Sequence, residues 1–305
     1  MRFYVAITDF DWFSQLSAQK PDEVNFWQPS GNNQFRALSP GEPLLFKLHS
    51  PRNFIVGGGF FSHFSLSPLS LAWDAFGLKN GAITLDQMQD RVRRYRHHDA
   101  TGGEEIIGCI LLQQPFFFAE PEWIQVSDWP RPTVRGKSYE TQESRGAEIW
   151  AEVKARLTQP APALDESVEV QIAKYGKPQI LLPRLGQGAF RMLIADTYAR
   201  TCAFSSSHIL HILDAAHIRP YSQGGTHSPT NGFLLRQDIH TLFDRGYITV
   251  TPEYKVEVSR RIKQEFDNAA EYYAIHGKAI HLPTLEQLRP SAEALTWHNE
   301  NVFRS

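Results

Sequence analysis

The chain has 305 residues, of which 42% are hydrophobic and 12% aromatic, and a formal net charge of −2. This length suffices for two domains of ordinary size, and the composition excludes an intrinsically disordered chain. The balanced charge argues against a uniformly basic nucleic-acid-binding surface. Charge is nevertheless uneven, because residues 184–263 hold ten Lys or Arg against six Asp or Glu, whereas residues 264–305 are net acidic. A local basic surface and a solvated face of mixed charge explain this excess equally well.

The two cysteines, Cys109 and Cys202, lie far apart in the sequence and form no CxxC pair. This usage predicts a reduced compartment and no structural zinc site. No signal peptide is visible, and no apolar run is long enough to cross a membrane. We therefore expect a cytoplasmic protein without a membrane partner.

The first third of the chain is predicted to combine strands with helices. Residues Leu85–Tyr95 predict a helix, and Gly57, Gly58 and Gly59 permit a backbone bulge or the close approach of a ligand. Strands are predicted over Arg2–Thr8, Pro43–Leu48, Asn53–Phe61 and Ile106–Gln113. The predicted fold class is therefore α+β.

The best candidate for a linker follows an amphipathic helix predicted over Tyr139–Leu157. Residues 159–163 read Gln-Pro-Ala-Pro-Ala, a composition typical of linkers. A second domain is predicted to begin near Pro183. We therefore expect an N-terminal domain over residues 1–135, a helical linker over 136–180 and a C-terminal domain with its tail over 181–305.

The C-terminal domain is predicted to alternate helices and strands. A helix is expected over Ala189–Tyr198, strands over Ile209–Ala216 and Asn231–Leu235, a short helix over Gln237–Asp244 and a hairpin over Tyr247–Ser259. His217 closes the first strand, Asn231 opens the second, and His240 lies in the short helix. A strand, a loop, a second strand and a helix would bring these three polar side chains into one cleft.

His, Asn and His in this order suit phosphodiester cleavage. An imidazole has a pKa near working pH and can activate a water molecule. A divalent metal can stabilise charge at phosphorus and at the leaving 3′ oxygen. An amide can hold the base and its loop by hydrogen bonds.

This part of the chain resembles the HNH, or ββα-metal, restriction endonucleases over about residues 180–300. The resemblance is carried by Arg184-Leu185-Gly186-Gln187, Phe190-Arg191, Tyr198, Cys202-Ala203, Ala215-Ala216-His217-Ile218, Asn231-Gly232, His240-Thr241-Leu242-Phe243-Asp244, Gly246, Ile280-His281-Leu282-Pro283 and Leu295-Thr296-Trp297-His298. It implies that His217 is the general base, Asn231 orients that base and His240 binds the metal.

The sequence departs from that family at one position. Many HNH enzymes have Asp immediately before the base as a second metal ligand, but Ala216 stands there. Asp214, two residues earlier on the same strand face, would replace that ligand if the strand bends. The resemblance implies Mg²⁺ or Mn²⁺, with Co²⁺ or Ni²⁺ tolerated by an imidazole ligand, and weak metal binding in the absence of DNA.

Other polar residues near this motif have plainer alternatives. Arg219, Arg236 and Arg245 are candidates for phosphate binding, and surface salt bridges explain each of them as well. Asp244 is expected to anchor the helix rather than bind metal, and Trp297-His298 is expected to pack. No pattern distinguishes His208, His211 and His227 from ordinary polar residues.

The N-terminal domain is similar to PUA-like domains, especially the EVE branch, which are small β-barrels with helices. The similarity is carried by Asn25-Phe26-Trp27-Gln28-Pro29-Ser30-Gly31, Phe35-Arg36-Ala37-Leu38, Pro40-Gly41-Glu42, Leu45-Phe46-Lys47 and Ile55-Val56-Gly57-Gly58-Gly59. Glu42 stands where Asp is commoner. The resemblance implies a reader that flips out a modified cytosine and stacks it on aromatic rings.

Trp27, Phe26, Asn25 and Ser30 are the candidate residues of that base pocket, although Trp and Phe more often belong to a core. The whole sequence thus predicts a homodimeric endonuclease that acts on double-stranded DNA carrying 5-methylcytosine or 5-hydroxymethylcytosine. Two alternatives remain at this stage: an HNH nuclease acting on unmodified DNA or RNA, and a catalytically degenerate DNA-binding module. The recognition sequence, preferred modification and cut distance do not follow from the sequence.

Overall fold

The computed structural model describes residues 1–31, 34–96, 105–129, 135–158, 186–267 and 269–305. The chain divides into two compact units, residues 1–69 with 76–183 and residues 70–75 with 184–305. Both contain helices and β-sheets, which confirms the α+β fold class. The predicted linker at 159–163 and the domain start near Pro183 lie outside the described residues. No helix within those described ranges is long and apolar enough to cross a membrane.

The described elements of the first 158 residues are seven strands and four helices. The strands are β1 (Arg2–Thr8), β2 (Glu23–Gln28), β3 (Pro43–Leu48), β4 (Phe54–Pro68), β5 (Ile106–Phe117), β6 (Ile124–Gln125) and β7 (Gly136–Glu140). The helices are α1 (Phe10–Gln19), α2 (Leu69–Phe76), α3 (Leu85–Tyr95) and α4 (Ser144–Thr158).

The seven strands form one sheet in the order β2-β5-β4-β3-β1-β7, with β6 paired to β4. The β1–β3 pair is parallel, and the other pairs of this sheet are antiparallel. The register of β4 against β5 shifts between Gly58 and Phe60. A Cβ atom on Gly58 would lie 2.6 Å from the ring of Phe116 and 2.7 Å from the carbonyl oxygen of Leu44. The glycine run therefore allows close packing of three strands at an irregular register.

Residues 136–158, expected to open the linker, instead form β7 and α4. Tyr139 pairs with Phe3 of β1, and the two rings stack with centroids 5.5 Å apart. Ile149 and Val153 of α4 are buried in the same apolar cluster. The helix predicted from Tyr139 begins only at Ser144, because Tyr139 is needed in the strand that extends the sheet.

The second unit contains the elements of the predicted motif. They are α5 (Gln187–Thr197), β8 (Leu213–His217), β9 (Gly232–Arg236), α6 (Gln237–Asp244), β10 (Ile248–Val250), β11 (Val256–Val258), α7 (Arg261–Phe266), α8 (Ala270–Tyr273) and α9 (Ala292–Asn301). The predicted strand over Ile209–Ala216 begins at Leu213, because residues 210–212 form a 3₁₀ turn. The hairpin predicted over Tyr247–Ser259 is confirmed as β10 and β11.

A ββα arrangement forms the centre of this unit. β8 and β9 are antiparallel, with Leu213 opposite Arg236 and His217 opposite Gly232. The helix α6 follows β9 without a loop, and Ile239 and Phe243 on its inner face are buried in the same apolar core as Phe233. The 3.6-residue period places His240 and Asp244, four residues apart, together on the other side of α6.

Candidate nuclease site

The end of β8, the loop after it and the exposed side of α6 line one cleft. Among its lining residues are His217 and Asp214 of β8, His240 and Asp244 of α6, and Tyr221 and His227 of the loop. The structure therefore brings His217 and His240 to a common cleft.

His240 lies between two carboxylates. Its Nδ1 is 3.3 Å from Oδ2 of Asp214, and its Nε2 is 3.3 Å from Oδ2 of Asp244. Burial alone would lower the pKa of His240, but hydrogen bonds to Asp214 and Asp244 outweigh this effect and raise the pKa to about 9. The bond to His240, and then Arg191, hold the pKa of Asp214 below its usual range. The cluster is thus a cation flanked by two anions.

His217 has the opposite character. Its ring stacks on Phe190 of α5, with centroids 3.9 Å apart and planes 11° from parallel. Burial, followed by the proximity of His227 and His240, lowers the pKa of His217 to about 4. The ring is therefore neutral near pH 7, and a neutral imidazole keeps the lone pair that a general base needs.

The side-chain hydrogen bonds of Asn231 in the described structure go to the loop between β8 and β9 and to neither His217 nor His240. Its Oδ1 accepts a hydrogen bond from the backbone N–H of Arg219 at 2.9 Å. Its Nδ2 donates to the carbonyl oxygens of Arg219 at 2.9 Å and Thr226 at 2.8 Å. The side chain is buried, so these bonds compete little with water. Asn231 thereby closes the loop that starts directly after His217.

The loop supplies two residues that the sequence did not single out. Nδ1 of His227 lies 2.9 Å from Nε2 of His217, and the ring of Tyr221 stacks on His227 with centroids 4.9 Å apart. Phe190, which the sequence marked only as part of the resemblance to HNH endonucleases, is the ring beneath His217. No spacing rule connects a loop histidine to a strand histidine ten residues earlier, so only the fold identifies this pair.

The three candidate phosphate-binding arginines differ in their surroundings. Nε of Arg219 donates to the carbonyl oxygen of Gln223 at 2.7 Å, and its guanidinium lies 5.3 Å from the ring centroid of Trp297. Arg236 forms an ion pair of 2.5 Å with Asp238. Arg245 is exposed. Two of the three are therefore already engaged within the domain.

Within the described ranges, no group of three or more His, Cys, Asp or Glu side chains is placed so that it could hold a metal ion. The donors around His240 nonetheless have the right chemistry, because carboxylate oxygens and an imidazole nitrogen bind Mg²⁺ and Mn²⁺. The imidazolium ring of His240 separates the two carboxylates, with one ring nitrogen beside each. A divalent cation that displaced one of the two ring protons would find an imidazole nitrogen and one carboxylate already adjacent.

Two of the four candidate base-pocket residues, Asn25 and Phe26, are buried in the described structure. Asn25 is fully buried, and its Nδ2 donates to Oδ1 of Asn80 at 2.9 Å. Phe26 is a core residue that stacks on Phe46 with centroids 6.0 Å apart. Both belong to β2, and the packing of the first unit buries both side chains. Trp27 and Ser30 are half-buried, and the Trp27 indole donates to the carbonyl oxygen of Asn80 at 2.9 Å.

The face of β2 that carries Asn25 also carries unsatisfied amide groups. In the antiparallel register Glu23 lies opposite Gln113 and Asn25 opposite Leu111, so these side chains share one face. Within the described structure, Oδ1 of Asn25 and both amide atoms of Gln113 are buried without a hydrogen-bond partner. Such atoms are rare in a closed core, and this face is the polar interior of the first unit.

The fold and the cleft define a ββα nuclease domain. Residues 202–251 match the family described as HNH endonuclease, so this part of the chain is an HNH endonuclease domain. No curated protein matches the chain.

Two solved structures are similar to larger parts of the chain. ASCH from Zymomonas mobilis has 11% identity and a TM-score of 0.34, and the match covers 48% of this chain and 94% of that one. The modification-dependent TagI restriction endonuclease has 11% identity and a TM-score of 0.28, covering 92% of this chain and 75% of that one.

Proposed function

We propose that the chain is a modification-dependent DNA endonuclease with a divalent metal cofactor. The N-terminal unit would read 5-methylcytosine or 5-hydroxymethylcytosine, and residues 181–305 would cleave double-stranded DNA. The observation that carries the nuclease assignment is the shared cleft in which a neutral His217 accompanies the Asp214–His240–Asp244 cluster.

In this proposal His217 is the general base. Its unprotonated nitrogen takes a proton from water, and the resulting hydroxide attacks phosphorus in line with the 3′ oxygen. The P–O3′ bond breaks and the leaving 3′ oxygen takes a proton from water, which leaves a 5′ phosphate and a 3′ hydroxyl. His240 and Asp214 would hold the metal, which when bound would supply charge stabilisation at the phosphate and the leaving oxygen. Asn231 keeps the loop beside the base in place.

One ββα site cuts one strand. Cleavage of both strands therefore requires a homodimer or two separate encounters. Arg245, exposed beside α6, is the best placed of the three arginines to contact a phosphate, since Arg219 and Arg236 have partners within the domain.

The test is digestion of three matched plasmids that contain plain cytosine, 5-methylcytosine or 5-hydroxymethylcytosine, with RNA as a fourth substrate and Mg²⁺, Mn²⁺ or EDTA added. Wild type should cut the plasmids with modified cytosine but not the plain plasmid, and it should do so with Mg²⁺ or Mn²⁺ but not with EDTA. His217→Ala and His240→Ala should each lose cutting, whereas His211→Ala, at an exposed histidine, should not.

The outcomes separate the alternatives. Equal cutting of plain DNA or RNA would refute the modification dependence and leave the nuclease. An inactive wild type that still binds DNA would identify a degenerate binding module. A His217→Ala protein that cuts at the wild-type rate would overturn the assignment of the base.

A further inference from the structure

We propose that His227 is a positioning residue that fixes the tautomer of His217; this inference rests on the nuclease function proposed above. Nε2 of His217 and Nδ1 of His227 are 2.9 Å apart. One of these nitrogens must carry a proton and the other must accept it. The choice decides which lone pair His217 can offer to water.

Only one arrangement leaves His217 competent as a base. If Nε2 of His217 donates to Nδ1 of His227, the Nδ1 atom of His217 is unprotonated and can take a proton from water. If His227 donates instead, neutral His217 must carry its proton on Nδ1 and has no free lone pair. His227 would therefore act as the acceptor that selects the productive tautomer, as carboxylates and carbonyls do for other functional histidines.

The surroundings hold His227 in this orientation. Tyr221 stacks on one face of its ring, 12° from parallel. The carbonyl oxygen of the preceding residue, Thr226, accepts a 2.8 Å hydrogen bond from Asn231. His217 is in turn fixed by its stack on Phe190. A continuous path thus leads from Asn231 through the loop and His227 to the base, which explains how Asn231 can orient His217 without touching it.

The test compares His227→Phe with His227→Asn. Phe keeps a ring for Tyr221 but removes the acceptor, whereas Asn places an oxygen near the position of Nδ1. We expect His227→Phe to lose about 10- to 100-fold in kcat for plasmid nicking, the range typical of outer-shell partners, with little change in KM. His227→Asn should recover most of this loss. His211→Asn, at an exposed position, is the control.

A second measurement needs no activity. In protein with ¹⁵N-labelled histidine, the imidazole shifts of His217 should report a proton on Nε2 in wild type and a mixture of tautomers in His227→Phe. A proton on Nδ1 of His217 in wild type, or equal kcat in His227→Phe and wild type, would overturn the proposal. A wild type that shows the Nε2–H tautomer but cuts no nucleic acid would refute the nuclease function and leave the His217–His227 pairing intact.

Discussion

Asn231 holds the main chain of Arg219 from both sides, since its Oδ1 accepts from the Arg219 N–H and its Nδ2 donates to the Arg219 carbonyl, each at 2.9 Å. A third bond reaches Thr226 at 2.8 Å. The hydrogen bonds of this one side-chain amide thus take the place of the strand-to-strand hydrogen bonds that a loop lacks. The middle residue of the His-Asn-His motif acts here through loop geometry.

Replacing Asn231 should therefore cost both stability and activity. Asn231→Leu removes three hydrogen bonds and leaves buried backbone groups unpaired, at about 1–3 kcal/mol for each unsatisfied group. We expect urea unfolding to report a loss of about 2–4 kcal/mol, and nicking to fall with it. Asn231→Asp keeps the acceptor but places a carboxylate against two carbonyl oxygens. We therefore expect it to be no more stable than Asn231→Leu. An Asn231→Asp protein as stable as wild type would contradict this account.

Gly225 should tolerate no side chain. A Cβ atom there would lie 1.8 Å from the Arg219 carbonyl oxygen and 2.9 Å from Nδ2 of Asn231. In Gly225→Ala the new Cβ must push these atoms away. We therefore expect the free energy of unfolding to fall by about 1–3 kcal/mol, as at other overpacked sites, and nicking to be lost. Gln223→Ala, at an exposed side chain of the same loop, is the matched control and should behave as wild type in both assays.

The buried His298 should make folding stability depend on pH. It stacks on Phe243, and burial lowers its pKa to about 4. Because the unfolded chain binds this proton more readily, stability is complete above pH 6.5 and is lost as pH falls from 6.5 towards 4, by up to about 3 kcal/mol. Chemical denaturation at several pH values should show that His298→Gln weakens this dependence. An unchanged dependence in that variant would contradict the prediction, and His211→Gln is the control.

Metal affinity should depend on Asp214. Asp214 lies 3.3 Å from His240, so its removal takes away a donor beside the imidazole. Asp214→Asn should weaken Mn²⁺ binding by at least about tenfold, the smaller of the losses seen when even an outer-shell partner is removed. Electron paramagnetic resonance of free Mn²⁺ measures this without any cleavage assay. Equal affinity in wild type and Asp214→Asn would exclude Asp214 as a ligand, and Asp238→Asn, at a carboxylate paired with Arg236, is the control.

Gln113 should be replaceable without loss of stability. Both of its amide atoms are buried without a partner in the described structure, so Gln113→Met removes an unsatisfied group while keeping the volume. We expect the free energy of unfolding to rise by about 1 kcal/mol. A fall of that size would show that the amide has a partner. Cleavage of plasmids with and without modified cytosine by Gln113→Met then shows whether the face that carries Asn25 and Gln113 takes part in reading the base.

The ββα motif and the position of each of its three polar residues within it follow from local sequence patterns. Short apolar runs predict the strands β8 and β9, and helical spacing predicts α6. The same local rules mark the α+β character of the first unit, with strands such as β1 and β3 at their predicted bounds.

Which distant residues meet depends on the tertiary fold. His227 reaches His217 because the loop folds back, and Asp214 meets His240 because one turn of α6 faces β8. No local pattern records such contacts. Asn25 and Phe26 point to opposite faces of β2 and are both buried, because the unit covers the strand on both sides there. Periodicity is a property of neighbours in sequence, whereas a site depends on distances between residues far apart in the chain.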